Sequence, residues 1–297
     1  MLSRIHLCLG SDSVMHGLLI RDKKELSEKE KAEDVLAGES AMAKLRDMIE
    51  RKKRRDYSVE SLSLTLDLLK LNPELTLAWN FRREILLSLS SSLRDELELL
   101  NSVMVDMRMT KSYCLWNHRR WVLLEMNRRA EIAQGDLESE MKIVETIHSL
   151  DSRNFHAWSY RKFLIDQFDV KVDDLAYSTK LIESDFSNYS AWFLRTKVPV
   201  EKLNPLDELD FVWNAIFTEP NDQSAWQYHD WLMDTFSGEE IRVKDGEYME
   251  ELESVIEAKD SKYVLLNKLR RGDGEEGRIR QKLCEIDPMR AGFYNRE

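Results

Sequence analysis

Residues 154–163 read Asn-Phe-His-Ala-Trp-Ser-Tyr-Arg-Lys-Phe, and imperfect copies of this stretch recur along the chain. The other copies begin at Leu75, Ser112, Asn188 and Asp222. Each copy places a tryptophan four residues after its first residue, which gives Trp79, Trp116, Trp158, Trp192 and Trp226, spaced 37, 42, 34 and 34 residues apart. A period of this length is typical of a repeat built from one pair of helices. The chain is therefore predicted to be an array of stacked helical hairpins.

The composition of the 297-residue chain also favours helices. Hydrophobic residues make up 42% of the chain, which suffices for a continuous core. Only 10 glycines and 5 prolines interrupt the sequence, and long amphipathic runs lie between them. Such runs favour helices over many short strands. We therefore predict an all-α protein.

Charge and cysteine usage exclude several classes of protein. The net charge of −11 argues against a nucleic acid as the main partner, because phosphate binding needs clustered lysine and arginine. Cys8, Cys114 and Cys284 show neither CxxC nor Cys/His spacing, so no metal site and no disulfide framework is predicted. No apolar run approaches the roughly 18 residues of a membrane span, so no stable membrane insertion is expected. We expect a cytoplasmic protein, since free cysteines suit a reducing compartment.

Each repeat is predicted to pair a first helix with the second helix that carries the tryptophan. The expected first helices cover residues 59–71, 94–107, 137–150, 173–184 and 206–217, where apolar residues recur at helical spacing. Four second helices open with a capping residue, namely Ser112, Asn154, Asn188 and Asp222. The first copy has Leu75 at this position, and Asn72-Pro73 offers an alternative helix start with proline near its first position.

A cationic residue lies three positions after each tryptophan, on the same helical face. These residues are Arg82, Arg119, Arg161, Arg195 and, in the last copy, His229. We predict that the tryptophan fills the groove between hairpins and that the cation pairs with an acidic residue of an adjoining helix.

The repeats divide the chain into three regions. Residues 1–39 are predicted to be a charged, partly flexible arm, in which Met15 is an alternative start. Residues 40–236 are predicted to hold the hairpin repeats. This region begins with a charged helix over 40–55, and the repeats follow it. Residues 237–297 are predicted to cap the stack, with a polar loop at 237–246 and helices near 248–258, 261–271 and 277–286.

The sequence shows no self-sufficient catalytic motif: GK[ST], HExxH and GxSxG are all absent. One set of residues still suggests anion binding. Lys111 and Tyr113 open the second tryptophan helix, and His156 lies in the matching turn of the third. Helix N-termini carry unpaired amides and partial positive charge, so this edge could bind a diphosphate. Ordinary helix capping is the alternative explanation of the same polar residues.

The repeated tryptophan with its arginine three residues later resembles the repeats in the α subunits of protein prenyltransferases, over about residues 66–232. Residues 185–192, 219–226 and 286–291 resemble in particular the α subunits of the type II, Rab-modifying geranylgeranyltransferases. The resemblance implies an α-α solenoid, a crescent-shaped right-handed superhelix of helical hairpins. Animal members also carry an immunoglobulin-like insertion, for which residues 235–248 leave no room.

The resemblance also implies a partner and a reaction. Such α subunits wrap a separate β subunit, which holds the catalytic Zn²⁺, so this chain would itself bind no cofactor. The obligate heterodimer would transfer the geranylgeranyl group of geranylgeranyl diphosphate to C-terminal cysteines of Rab GTPases, together with a Rab escort protein.

The resemblance further assigns site residues. Lys111 and Tyr113 occupy the places of a lysine and a tyrosine that reach the diphosphate, and they are the expected catalytic residues. His156 corresponds to a histidine of the subunit interface near the same diphosphate. Farnesyltransferase-type chains have tyrosine before this histidine, and Phe155 here favours the Rab-type assignment.

Two alternatives stay open at this point. The chain could be the shared α subunit of farnesyltransferase and type I geranylgeranyltransferase. It could also be a non-enzymatic scaffold of the tetratricopeptide kind, although those repeats keep a strict 34-residue period and use small residues at fixed contacts.

Overall fold

The computed structural model describes residues 28–254, 261–272 and 276–295, and every regular element within these ranges is a helix. The chain forms two compact units, residues 1–122 and 123–297. The all-α prediction is confirmed. The part of the predicted N-terminal arm up to residue 27 lies outside the described residues.

The helices follow one another with short connections. The first unit contains α1 (Glu28–Lys53), α2 (Val59–Leu71), α3 (Thr76–Ser88), α4 (Leu93–Val103) and the beginning of α5 (Tyr113–Arg128). The second unit continues with α6 (Gln134–Leu150), α7 (Phe155–Phe168), α8 (Asp174–Ser184), α9 (Tyr189–Arg195), α10 (Pro205–Thr218), α11 (Gln223–Thr235), α12 (Glu239–Ser254), α13 (Lys262–Arg271), α14 (Glu276–Ile286) and α15 (Ala291–Tyr294). Single 3₁₀ turns lie at Met109–Lys111, Val200–Lys202 and Pro288–Arg290.

Consecutive helices pack as the hairpins that the repeat period predicts. Helix α2 packs on α3, α6 on α7, α8 on α9 and α10 on α11. Neighbouring hairpins of the second unit stack through α9 against α11 and α10 against α12. Trp192, Trp213 and Tyr228 are fully buried in the core of this unit.

Polar caps define where most helices begin, as the sequence predicts. The side chain of Asn154 accepts hydrogen bonds from the amides of His156 and Ala157, both at 3.1 Å. Asn188, Asp222 and Ser112 accept in the same way at the starts of α9, α11 and α5. These bonds satisfy first-turn amides that have no partner within the helix.

The predicted helix start at Asn72-Pro73 is wrong. Asn72 ends α2, and its side-chain oxygen accepts from the amide of Glu74 in a tight turn, so that α3 begins only at Thr76. The carbonyl oxygen of Pro73 accepts a hydrogen bond from the indole of Trp79. That carbonyl would be used inside the helix if the helix began at the proline.

The predicted loop at residues 237–246 is also wrong, because α12 already begins at Glu239 and includes Gly246. The buried residues of this helix are Ile241, Asp245, Met249 and Leu252. Their spacing forms one helical stripe, and its packing outweighs the cost of about 1 kcal/mol for a glycine inside a helix. One member of the stripe is charged, which hides the pattern in the sequence.

The first helix starts earlier than the sequence suggests. Helix α1 begins at Glu28 instead of residue 40 and ends at Lys53, close to the predicted end. Arg55 adopts a left-handed backbone conformation with φ of 56°, which terminates the helical path. Charged residues dominate this helix, so it lacks the apolar periodicity on which the prediction relied.

Helices α12 and α13 form a sixth hairpin that resembles the five repeats. Two ion pairs join them, Lys268 with Glu253 at 2.6 Å and Arg271 with Asp245. Ser261 precedes α13, and the positions of the repeat tryptophan and arginine are taken by Leu265 and Lys268. The substituted tryptophan explains why the sequence pattern stops one hairpin early.

Candidate functional site

The five repeat tryptophans each make the same kind of hydrogen bond. Each indole N–H donates to the backbone carbonyl oxygen six residues earlier, over 2.7 to 2.9 Å; the acceptors are Pro73, Thr110, Ser152, Phe186 and Pro220. Each tryptophan is the fourth residue of its helix, so its acceptor lies three residues before the helix begins. We call this bond the tryptophan latch. It fixes the turn that leads into each second helix.

In four of the five repeats, the cation that follows the tryptophan ties one hairpin to the next. Arg82 of α3 donates through Nε and Nη2 to the two carboxylate oxygens of Glu96 on α4, both at 2.7 Å. Arg195 of α9 makes the same bidentate pair with Glu208 on α10, at 2.6 and 2.7 Å. All four side chains are buried. A bidentate guanidinium–carboxylate pair combines charge with fixed geometry, which suits a buried joint.

The other repeats vary this joint. Arg161 donates from Nη2 to Asp174 of α8 at 2.6 Å, and His229 pairs through Nε2 with Asp245 of α12 at 2.8 Å. The predicted pairing with an acid of an adjoining helix is therefore confirmed for Arg82, Arg161, Arg195 and His229. Arg119 donates to the amide oxygen of Asn101 on α4 at 2.6 Å.

The acidic partners were not identified from the sequence. A second polar side chain also reaches two of them from two residues after the tryptophan: His118 contacts Glu96 at 2.8 Å and Tyr228 donates to Glu208 at 2.6 Å. The available signal is a glutamate 13 or 14 residues after the repeat arginine, in the first turn of the next helix. These carboxylates are enclosed and hydrogen-bonded, so their role is structural.

Burial and hydrogen bonding set the charges around Glu96. Burial alone would raise the pKa of Glu96, but hydrogen bonds from His118 and Arg82 outweigh burial and hold the pKa at about 2. Burial lowers the pKa of His118 to about 4, against the opposing effect of Glu96. At neutral pH this histidine is uncharged. Its Nδ1 accepts from Arg83 Nε at 3.2 Å, so its Nε2 carries the proton that it donates to Glu96.

Lys111 and Tyr113 lie on the exposed side of the segment that enters α5. Lys111 is the last residue of the 3₁₀ turn Met109–Lys111, and Tyr113 is the first residue of α5, with 65% of its surface exposed. Thr110 and Ser112, which alternate with them in sequence, are buried. The alternation directs the ammonium and phenol groups outward beside the N-terminus of a 16-residue helix, which is a favourable place for an anion.

His156 is the second residue of α7, in the turn that matches the start of α5. Its side chain is buried, with 6% of its surface exposed, and the ring of Phe155 lies 3.9 Å from it, centroid to centroid. Phe155 itself is 56% exposed. Tyr189 is the first residue of α9, as Phe155 is of α7, and it is equally exposed. Its exposure was not predicted from the sequence.

The structure brings two of the three predicted site residues together. Lys111 and Tyr113 lie on either side of Ser112 in the first unit, whereas His156 belongs to the second unit. Their joint contact with a diphosphate stays a prediction.

Within residues 28–254, 261–272 and 276–295, no helix combines the length and the apolarity needed to cross a lipid bilayer. In the same ranges, no group of three or more histidine, cysteine, aspartate or glutamate side chains is arranged to hold a metal ion.

The fold, the repeated tryptophan latch and the recurring ion pair after it define a class: an all-helical protein built from repeated helical hairpins. The family model "Protein prenyltransferase alpha subunit repeat" matches residues 93–126, 137–168, 172–198 and 205–236. Residues 93–236 therefore contain four repeats of the protein prenyltransferase alpha subunit kind. The structure adds hairpin α2–α3 before the matched residues and hairpin α12–α13 after them.

Two similar proteins carry one and the same name. The chain is 30% identical over 241 residues to a "Geranylgeranyl transferase type-2 subunit alpha" of Candida albicans, a match that covers 63% of this chain and 64% of the relative. It is 32% identical over 244 residues to the protein of the same name from Bos taurus, covering 74% of this chain and 42% of the relative. The chain thus spans less than two thirds of the length of these relatives.

A solved structure shares the fold. The structure of "Candida albicans protein geranylgeranyltransferase-I complexed with GGPP" matches with a TM-score of 0.68 and 24% sequence identity, over 86% of this chain and 89% of that chain. The match confirms the fold of stacked helical hairpins.

Proposed function

We propose that this chain is the α subunit of a type II geranylgeranyltransferase, which works as an obligate heterodimer with a β subunit in the cytoplasm. The heterodimer transfers the geranylgeranyl group of geranylgeranyl diphosphate to C-terminal cysteines of Rab GTPases that an escort protein presents. The relatives from Candida albicans and Bos taurus, both named as type-2 subunit alpha, carry this proposal. The outward placement of Lys111 and Tyr113 at one helix N-terminus supports it.

The proposed role of this chain in the reaction is electrostatic. In the transfer, a cysteine sulfur forms a thioether bond with the first carbon of the geranylgeranyl group, and the diphosphate departs with the electrons of the broken C–O bond. Negative charge therefore grows on the diphosphate oxygens. The ammonium of Lys111 and the phenol O–H of Tyr113 would stabilise this charge, as fixed donors do in other sites where charge develops. His156 would contribute at the subunit interface.

The zinc ion belongs to the proposed β subunit. It would hold the cysteine as a thiolate, the nucleophilic form of the side chain.

Co-expression with candidate β chains tests the assembly. A stable heterodimer that modifies a Rab protein only in the presence of an escort protein is the expected result. A heterodimer that modifies short C-terminal CaaX peptides would instead identify the shared α subunit of farnesyltransferase and type I geranylgeranyltransferase. A chain that joins no β subunit and binds peptides alone would identify a scaffold.

The Lys111→Ala variant tests the site. Loss of a charge that acts on the departing diphosphate should reduce kcat by about 100-fold, without separating the subunits. Lys202→Ala is a matched control, because Lys202 is also exposed and also ends a 3₁₀ turn, Val200–Lys202. Equal turnover in the two variants would remove Lys111 from the site.

A further inference from the structure

The segment that carries Lys111 and Tyr113 is anchored at two buried residues, Thr110 and Ser112. The carbonyl oxygen of Thr110 accepts the latch bond of Trp116 at 2.8 Å, and the hydroxyl of Thr110 donates to the carbonyl oxygen of Met107 at 2.9 Å. The latch and its acceptor occur in all five repeats, so this part of the anchoring is common to the array.

Ser112 adds an anchor to the preceding hairpin. Its hydroxyl donates to the carbonyl oxygen of Pro73 at 3.0 Å, and the same oxygen atom of Ser112 accepts from the amide of Leu115 at 3.1 Å. Only 1% of the surface of Ser112 is exposed. The carbonyl of Pro73 is also the acceptor of the Trp79 latch at 2.8 Å. One side chain thus ties the start of α5 to the turn before α3.

This bond lies directly between the two predicted site residues. Lys111 and Tyr113 are the sequence neighbours of Ser112, and both point away from the buried anchor. A side chain on a 3₁₀ turn or a helix end is placed only as accurately as the backbone beneath it. The connection from α4 to α5 covers the nine residues 104–112, whereas the connections before α3, α7, α9 and α11 cover four. A longer connection has more conformations to exclude, so it needs an additional restraint.

We propose that Ser112 is a positioning residue for prenyl transfer: its bond to Pro73 of the first hairpin holds Lys111 and Tyr113 in the geometry that meets the diphosphate. This inference rests on the proposed function. It assigns a role in the reaction to the hairpin α2–α3, through a carbonyl group that touches no substrate.

The chain contains an internal control for this bond. Ser261, which precedes α13, donates from its hydroxyl to the carbonyl oxygen of Pro220 at 2.7 Å, and that carbonyl also accepts the latch of Trp226 at 2.9 Å. Ser261 is 2% exposed. Ser112→Ala and Ser261→Ala therefore remove the same hydroxyl–carbonyl bond. Ser112→Ala also removes the cap bond from Leu115, which has no counterpart at Ser261, and only Ser112 adjoins predicted site residues.

The experiment uses the heterodimer with its β subunit and compares the wild type, Ser112→Ala, Ser112→Thr, Ser261→Ala, Lys111→Ala and the double variant Lys111→Ala/Ser112→Ala. We expect Ser112→Ala to lower kcat about tenfold, with a smaller change in the KM for the protein substrate, because loss of precise placement costs rate more than binding. Ser112→Thr, which keeps the hydroxyl, should recover most of this rate. Ser261→Ala should lower thermal stability by a similar or smaller amount, because it removes no cap bond, and should leave kcat unchanged.

The double variant identifies the route of the effect. If Ser112 acts through Lys111, the double variant should be at most about twofold slower than Lys111→Ala. The effects of two residues that act together are not additive. Equal kcat in Ser112→Ala and Ser261→Ala, with Lys111→Ala still slow, would overturn the positioning role alone. Unchanged kcat in Lys111→Ala would remove Lys111 from the site and end the positioning role with it, whereas a wild-type heterodimer without prenyl transfer would overturn the proposed function.

Discussion

Between α3 and α4, Glu96 is held by Arg82 and His118, whereas between α11 and α12, Asp245 is held by His229, Arg271 and the indole of Trp213. We call these the Glu96 cluster and the Asp245 cluster. In the Glu96 cluster a buried arginine supplies the positive charge, and burial keeps the histidine neutral. In the Asp245 cluster a histidine occupies the place of the repeat arginine.

The charges on the two histidines differ accordingly. Burial would lower the pKa of His229, but the nearby carboxylates of Asp230 and Asp245 outweigh burial and raise the pKa above its ordinary value of 6.5. The comparison teaches that a cation–carboxylate joint between hairpins can be built with either arginine or histidine as the cation. A histidine can replace the arginine where two carboxylates face it.

The largest difference between the clusters should appear when their carboxylates are removed. Glu96→Ala leaves Arg82 buried without its partner, which should cost about 3 to 5 kcal/mol in the free energy of unfolding. Asp245→Ala should cost less, because His229 can lose its proton and Arg271 is partly exposed. Urea unfolding of both variants at pH 7 measures the difference. Equal losses would show that the two joints depend on charge in the same way.

The next effect is the stability of the Glu96 cluster in mild acid. His118 has a folded pKa of about 4 against an ordinary 6.5, so folding excludes a proton that the unfolded chain binds. Its contribution to stability is present above pH 6.5 and is lost as the pH falls from 6.5 to 4. His118→Gln should weaken this loss in urea unfolding measured at several pH values. The loss should not vanish, because burial also lowers the pKa of His148 to about 4.

The Asp245 cluster should respond to pH in the opposite direction. The pKa of His229 is raised, so its contribution is fully present below pH 6.5 and is lost as the pH rises through the folded pKa. His229→Gln should therefore destabilise the protein more at pH 6 than at pH 9. A variant that is equally destabilised at both pH values would contradict the assignment of a charged histidine to this joint.

The smallest effect tests the second polar contact of a joint. Tyr228→Phe removes the hydroxyl that donates to Glu208 at 2.6 Å but keeps the ring and leaves Arg195 in place. Loss of a hydrogen bond to a charged acceptor should cost about 1.5 to 3 kcal/mol, toward the lower end here because Arg195 still satisfies the carboxylate. Chemical denaturation measures the loss. Tyr248→Phe is a control, since its hydroxyl donates to the more exposed Asp210.

The sequence predicts the parts of the fold that depend on local pattern. Repeat period, capping residues and the tryptophan–arginine spacing suffice to place hairpins and to predict that Arg82 and Arg195 pair with acids. They do not identify Glu96 or Glu208, because the choice of partner depends on how successive hairpins stack. The first half of α12 is predicted as a loop for a related reason, since Asp245 becomes part of a buried stripe only once His229 and Arg271 surround it.

The candidate site is predictable to a similar extent. The positions of Lys111, Tyr113 and His156 at two helix starts follow from the repeat, and the role proposed for them comes from the family resemblance. The bond from Ser112 to Pro73 does not, because it joins residues 39 positions apart and uses a carbonyl group that every sequence contains.

The tryptophan latch makes the start of the second helix independent of the length of the loop before it. Because each indole reaches back only six residues, extra residues inserted further upstream leave the register of the second helix unchanged. Four connections are short, and the one before α5 is more than twice as long without shifting its tryptophan from the fourth helical position. A repeat array built in this way can acquire new surface chemistry by lengthening one connection, while its stacking is preserved.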